Sequence, residues 1–191
     1  MPKDYSAPDD LELVRIFVNT FDPEKPEADP LLANDSTREW LASHDFQVDA
    51  DFGEKERAAM RVLREALLAE LLAHTGDGDA AVAWSGLATQ LSGTGLEVVF
   101  EGEQVRLEPK SRQGFEGLRS EIASRVYNAV RSGQWRRLKA CRKHSCLLAF
   151  FDKSKNGSGI WCDMAVCGNR VKAQRRRSRE RAPAADIKGS D

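Results

Sequence analysis

WRRLKACRKHSCLLAFFDKSKNGSGIWCDMAVCGNRVKAQRRRSRER, residues 135–181, holds all four cysteines of a 191-residue chain. Cys141, Cys146, Cys162 and Cys167 follow the pattern C-x4-C-x15-C-x4-C, two close pairs with room for one hairpin between them. A tetrahedral ion is satisfied when each pair supplies two thiolates, and zinc is the first choice. Leu147, Leu148, Ala149, Phe150 and Phe151 read as a short strand. Residues 152–159 are rich in turn formers, and Ile160, Trp161 and Cys162 are expected to return as the second strand. No proline interrupts the chain from Asp163 until Pro183. The last pair is therefore expected at the first turn of a helix, whose free N–H groups and dipole favour thiolate charge.

Four cysteines have other uses. Disulfides need an oxidising compartment, whereas the polar, acidic residues 1–10 do not read as a signal peptide. An iron–sulfur cluster also takes four thiolates, but the hairpin-and-helix pattern favours zinc. His144 could replace Cys146 as a ligand; with four cysteines sufficient, it is expected to be an exposed residue of the knuckle.

The segment resembles the CGNR zinc finger family, a treble-clef type of finger. The naming motif stands here as Cys167-Gly168-Asn169-Arg170, and the similarity extends over residues 135–141, over Phe150, Phe151 and Asp152, and over residues 161–166. The resemblance implies that Cys141, Cys146, Cys162 and Cys167 bind one structural zinc ion (Zn2+).

Working outward, the net charge of −1 conceals a separation of sign. Residues 131–181 carry 15 Lys or Arg against 3 Asp or Glu, and residues 1–130 carry 13 against 25. The chain is acidic in front and basic behind. At 41% hydrophobic it can build one ordinary core plus a small metal-stapled module. No apolar run is long enough to span a bilayer, so a cytoplasmic protein is expected.

Residues 1–10 read as a flexible leader. Leu11, Val14, Phe17, Val18 and Phe21 recur at helical spacing, and a proline-bearing loop runs on to Asn34. Ser36 and Glu39 suggest a capping box for a short helix turning Trp40 and Leu41 inward. Between Gly53 and Gly76, Ala59, Val62, Leu63, Ala66, Leu67 and Leu71 form one apolar stripe of a long helix, with Arg64 among the residues around it. Asp77 or Asp79 is expected to cap the next helix, which carries Val82, Trp84, Leu87 and Leu91. A hairpin over Leu96 to Leu107 turns at residues 101–104. The last helix of this part, about 113–131, points Phe115, Leu118, Ile122, Val126 and Val130 inward and stops at Gly133.

This front part resembles the ABATE domain usually found with the CGNR finger, on Phe17-Val18-Asn19-Thr20, the Trp40-Leu41 helix, Arg64-Glu65-Ala66-Leu67 and the order of elements. The two resemblances imply a bacterial transcription regulator linked to stress. The expected fold is α+β: a mainly helical N-terminal domain with a β-hairpin (11–133), a treble-clef-like zinc finger ending in a basic helix (135–181), and flexible tails (1–10 and 182–191).

Placed on a helix at 100° per residue, residues 166–179 put Cys167, Val171, Gln174 and Ser178 toward the finger. Asn169, Lys172, Arg176 and Arg179 gather opposite, flanked by Arg170, Arg175 and Arg177. Guanidinium groups donate two aligned hydrogen bonds to phosphate, so this face suits DNA. Asn169 and Arg176 are placed for base edges. Charge balance at the thiolate site, or docking on an acidic partner, would also use such a face, and Asn169 could instead bond locally.

Enzyme chemistry is not expected: four cysteines close the metal site, and His44, His74 and His144 have no evident nucleophile partner. The reading is therefore a DNA-binding regulator whose front domain senses a small-molecule effector or mediates assembly, for instance as a homodimer. The alternative is a protein-interaction adaptor that uses the finger for docking.

Overall fold

The computed structural model describes residues 4–181. Among these residues the α-helices are α1 (Asp9–Val18), α2 (Asn34–Ala42), α3 (Glu54–Ala73), α4 (Ala80–Leu91), α5 (Gly114–Arg131) and α6 (Asn169–Arg181). They are accompanied by two antiparallel hairpins, β1 (Leu96–Glu101) with β2 (Gln104–Pro109), and β3 (Leu138–Ala140) with β4 (Ala149–Phe151). Among the described residues no helix is long and apolar enough to cross a membrane.

The core lies where α1, α3 and α5 meet. Leu11, Val14, Phe17 and Val18 of α1 face Met60, Leu63, Leu67 and Leu71 of α3 and Leu118, Ile122, Val126 and Ala129 of α5, all buried. Each set repeats at three- and four-residue intervals, as one face of a helix requires. The same core continues without a break through Trp135, Leu138, Ala140 and Ala149. The cysteine-bearing segment is thus rooted in the helices by its first hairpin.

Helix existence follows the sequence pattern closely, but its faces shift. Val62 is 48% exposed while Met60, two residues earlier and on nearly the opposite side of the helix, is fully buried. Arg64, expected around the stripe, is buried because its guanidinium grips Asp29 through two bonds of 2.8 and 2.6 Å and also reaches Thr20 Oγ1. Glu70 is buried as well. Val82 and Trp84 of α4 point to solvent, leaving Leu87 as the buried anchor of that helix, and Val130 of α5 is exposed with Ala129 buried in its stead. An apolar stripe can turn by one residue at little cost when a wide face is apolar, and the buried ion pair decides the rotation of α3.

Caps differ in part. Asp79 caps α4, accepting from the N–H groups of Ala81 and Val82. Ser36 does not cap α2, which begins at Asn34; the Ser36 and Thr37 hydroxyls donate backward to Pro30 O and Ala33 O. The turn at Pro30 competes successfully for them, since Asp29 Oδ1 already fixes it through Leu31 N. The β1–β2 hairpin has a two-residue turn, Gly102 and Glu103, with Gly102 at a φ of 60°. It is tied to α5 where Ser124 Oγ donates to Leu107 O.

Candidate metal centre

The cysteine segment pairs differently from the expected hairpin. β4 lies beside Leu138–Ala140, before the first cysteine pair, and residues 160–162 form no strand. The cause is a buried charge pair. Lys139 Nζ donates to Asp152 Oδ2 at 2.8 Å, to Gly157 O at 2.5 Å and to Gly159 O at 2.9 Å. Asp152 in turn accepts from the N–H groups of Ser154 and Gly159. The loop curls around this pair instead of laddering along β4. A Cβ at Gly159 would meet the Asp152 carboxylate at 3.0 Å, so glycine is needed for the close approach. Burial pushes the Asp152 carboxyl up, but the bonds from Lys139, Ser154 and Gly159 outweigh it and hold the group below the usual carboxylate range.

The outer edge of β4 is completed by a side chain. Asn19, just past α1, accepts from Ala149 N at 2.7 Å and donates to Ala149 O at 3.0 Å, as a neighbouring strand would. His74, at the end of α3, bonds Leu138 O through Nδ1 and Glu70 Oε1 through Nε2, with its ring edge-on to Trp135. Residues 4–8, expected as a flexible leader, run along the segment: Tyr5 O accepts from Phe151 N, and its ring packs on the cysteines. Residues 1–3 and 182–191 lie outside the described residues.

Each cysteine is set by local backbone. Cys141 follows β3 and donates its N–H to Leu148 O, while Arg142 N reaches Ile160 O. The return of the knuckle is made by Cys146 N and Leu147 N on Lys143 O, with Leu147 at a φ of 52°. Asp163 caps the π-helical turn Met164–Gly168 through Ala165 N and Val166 N. Cys162 therefore sits just outside the helix, and Cys167 lies on its first turn. Gly168 is closely approached: a Cβ there would lie 2.4 Å from Met164 Sδ and 3.0 Å from Trp161 Cδ1, so a larger residue requires the exposed Met164 side chain to move.

The outcome is one cluster. The four sulfurs lie within 4.8 Å of one another, and Cys146–Cys162 and Cys162–Cys167 are each separated by 3.7 Å. Zinc–sulfur bonds of about 2.3 Å in a tetrahedron put sulfurs about 3.8 Å apart. A disulfide would bring two of them to about 2.05 Å, and an iron–sulfur core would spread them farther than a single ion does. Three of the cysteines are buried and Cys146 is half-buried. Their closeness sets the acidities of the thiols against one another. Hydrogen bonds from Cys146 and Cys162 lower the Cys141 thiol to about 2. The same bonding drives Cys162 far up, and burial with the neighbouring charge takes Cys167 up to about 11. Four thiolates at this spacing coexist only around a positive ion. His144 is no rival ligand: it is 76% exposed and pairs with Asp77.

The predicted contact residues divide. Asn169 and Arg170 are exposed at the start of α6, and Arg170 borders a cavity of about 360 Å³ shared with Cys146, Cys162 and Cys167. Lys172, Arg176 and Arg177 are exposed farther along. Val171 is half-buried toward the finger, whereas Gln174 and Ser178 are exposed, because the helix runs past the small body that it leaves. Arg175 and Arg179 lie on α6, but their side chains fall outside the described residues. The sequence reading missed Lys139, Asp152 and Asn19 as organisers of the site; the Phe17-Val18-Asn19-Thr20 motif was the visible signal for Asn19.

No curated protein matches the chain. Residues 137–180 match the family model of the CGNR zinc finger, and with the four sulfurs gathered at zinc-ligand spacing this part of the chain is a four-cysteine zinc finger suited to one structural zinc ion.

Proposed function

We propose that the protein is a cytoplasmic, DNA-binding transcription regulator, in which zinc fixes the base of α6 and α6 meets the nucleic acid. The observation that carries this reading is the position of the cationic residues. Asn169 and Arg170 begin α6 one residue after the fourth ligand, and with Lys172, Arg176 and Arg177 they are exposed on a helix that continues from the π-helical turn holding Cys167. A helix held at one end by a metal presents its cations at fixed spacing, so less conformational entropy is lost on contact with phosphates. A four-thiolate site has no open coordination position, which suits scaffolding rather than catalysis. Residues 11–133 would then be an ABATE-like unit that receives a small-molecule effector or joins copies into a homodimer, with stress as the context.

A second reading, a protein-interaction adaptor that docks through the β1–β2 hairpin and not through the finger, is favoured by one observation. The β1–β2 hairpin exposes Val98, Phe100 and Val105, at 53%, 73% and 62%. Apolar exposure of this kind suits protein contact.

Titration of the zinc-loaded protein with mixed-sequence duplex DNA across a range of salt separates the two. The regulator reading expects log K to fall linearly with log salt, and Lys172→Ala with Arg176→Ala to reduce the slope by about 2, one per phosphate contact. Absent or salt-insensitive binding would overturn it in favour of the adaptor.

A further inference from the structure

Beside α6 the finger carries a groove of about 530 Å³, of which the duplex reading uses only Lys172. Phe151, Ile160, Trp161 and Met164 line it, and Lys153 and Lys172 are exposed at its rim. Met164 is 45% exposed and Trp161 is half-buried. The volume falls within the roughly 300–1,000 Å³ of small-molecule sites.

Charge decides what fits. The two carboxylates in the lining are already neutralised, Asp152 by Lys139 at 2.8 Å and Asp4 by Lys153 at 2.6 Å. Lys172 leaves the rim cationic, and Arg176 continues the charge one helical turn farther on. An apolar, aromatic floor under a cationic edge matches a flat, uncharged ring joined to a phosphate. A base in a duplex cannot enter, because its faces are stacked on its neighbours; an unpaired base presents its π-face freely.

We propose that this groove takes an unpaired nucleobase, so that the finger binds single-stranded nucleic acid with a base on Trp161 and the adjoining phosphates on Lys172 and Arg176. The inference rests on the nucleic-acid reading above and adds a single strand to the duplex as a ligand of the same finger. Recognition by stacking is tolerant of sequence, since every base offers a π-face.

The test uses the full-length, zinc-loaded protein with a fluorescein-labelled oligothymidylate of about 16 nucleotides and a mixed-sequence duplex, each titrated by anisotropy and by tryptophan emission. The oligothymidylate is expected to quench emission, and Trp161→Phe to remove that quenching while the other three tryptophans remain. Met164→Glu, which sets a carboxylate at the exposed mouth, is expected to weaken oligothymidylate binding by roughly 5- to 150-fold, the range for one lost stacked base, with duplex binding far less affected. Zinc content and melting of both variants establish that they are folded. Salt-sensitive binding of both nucleic acids, with no quenching from Trp161 and no effect of Met164→Glu, would overturn the groove while leaving the α6 reading intact. Binding of neither would overturn both.

Discussion

Removing the metal should unfold the finger from its outer end inward. The perturbation is chelation, or Cys162→Ser, which deletes the sulfur lying 3.7 Å from both Cys146 and Cys167. Structural four-ligand zinc sites contribute about 10–16 kcal/mol of apparent binding free energy at neutral pH. That is comparable with the whole stability of a typical domain, about 5–15 kcal/mol. The apolar cluster around the sulfurs is too small to replace it, consisting of Phe150 with partly buried Tyr5, Leu148 and Trp161. Residues 141–168 should therefore lose their fixed conformation. The β3–β4 hairpin has a different fate, because Leu138, Ala140 and Ala149 are fully buried in the helical core and Asn19 holds Ala149 at both its polar groups. The helical part should remain folded but melt at a lower temperature, having lost part of the cover over its core. Limited proteolysis with mass spectrometry, before and after chelation, reads this directly. New cleavage is expected between residues 142 and 168, with α3 and α5 still protected. Unchanged resistance of residues 141–168 in the metal-free protein would refute the reasoning.

Other perturbations test the supports of the site. Asp29→Ala leaves the Arg64 guanidinium buried without its partner and should cost about 3–5 kcal/mol in chemical denaturation; a loss below about 1 kcal/mol, the level of a surface pair, would contradict the buried clamp. Asn19→Ala removes both bonds to Ala149 and should destabilise by about 1–3 kcal/mol, with faster amide exchange at Ala149, and unchanged exchange there would count against its role as a strand surrogate. The Asp152 carboxyl is held below its unfolded value, so its contribution is complete above the unfolded pKa of about 3.9 and is lost as pH falls from there toward the folded value. The stability difference between wild type and Asp152→Asn should therefore be constant near neutrality and shrink below about pH 4. A difference that instead grew on acidification would reverse the sign of the argument.

The cysteine spacing made the metal site legible, because ligand type and separation are set by the ion and not by distant parts of the chain. Helix positions were legible for a similar reason: α1, α3 and α5 follow their apolar periodicity to within a few residues. What the pattern could not supply was the partner of each face. Val62 and Met60 are both apolar, and only the Arg64–Asp29 pair, 35 residues apart, settles which one is buried. The β3 strand was hidden because Lys139 sits in the middle of a three-residue run. A lysine reads as solvent-facing until Asp152, Gly157 and Gly159 are seen around it. Once that loop closes on Lys139, residues 160–162 have no strand to join. Trp84 illustrates the opposite failure, a large aromatic residue on an apolar helix that the fold leaves 44% exposed.

X-ray absorption at the zinc edge, with elemental analysis of the purified protein, is the most direct test of the metal centre. One zinc per chain surrounded by four sulfurs at about 2.3 Å is the expected result. A shell containing nitrogen or oxygen in place of a sulfur, or a metal-free protein with sulfurs joined as disulfides, would contradict it.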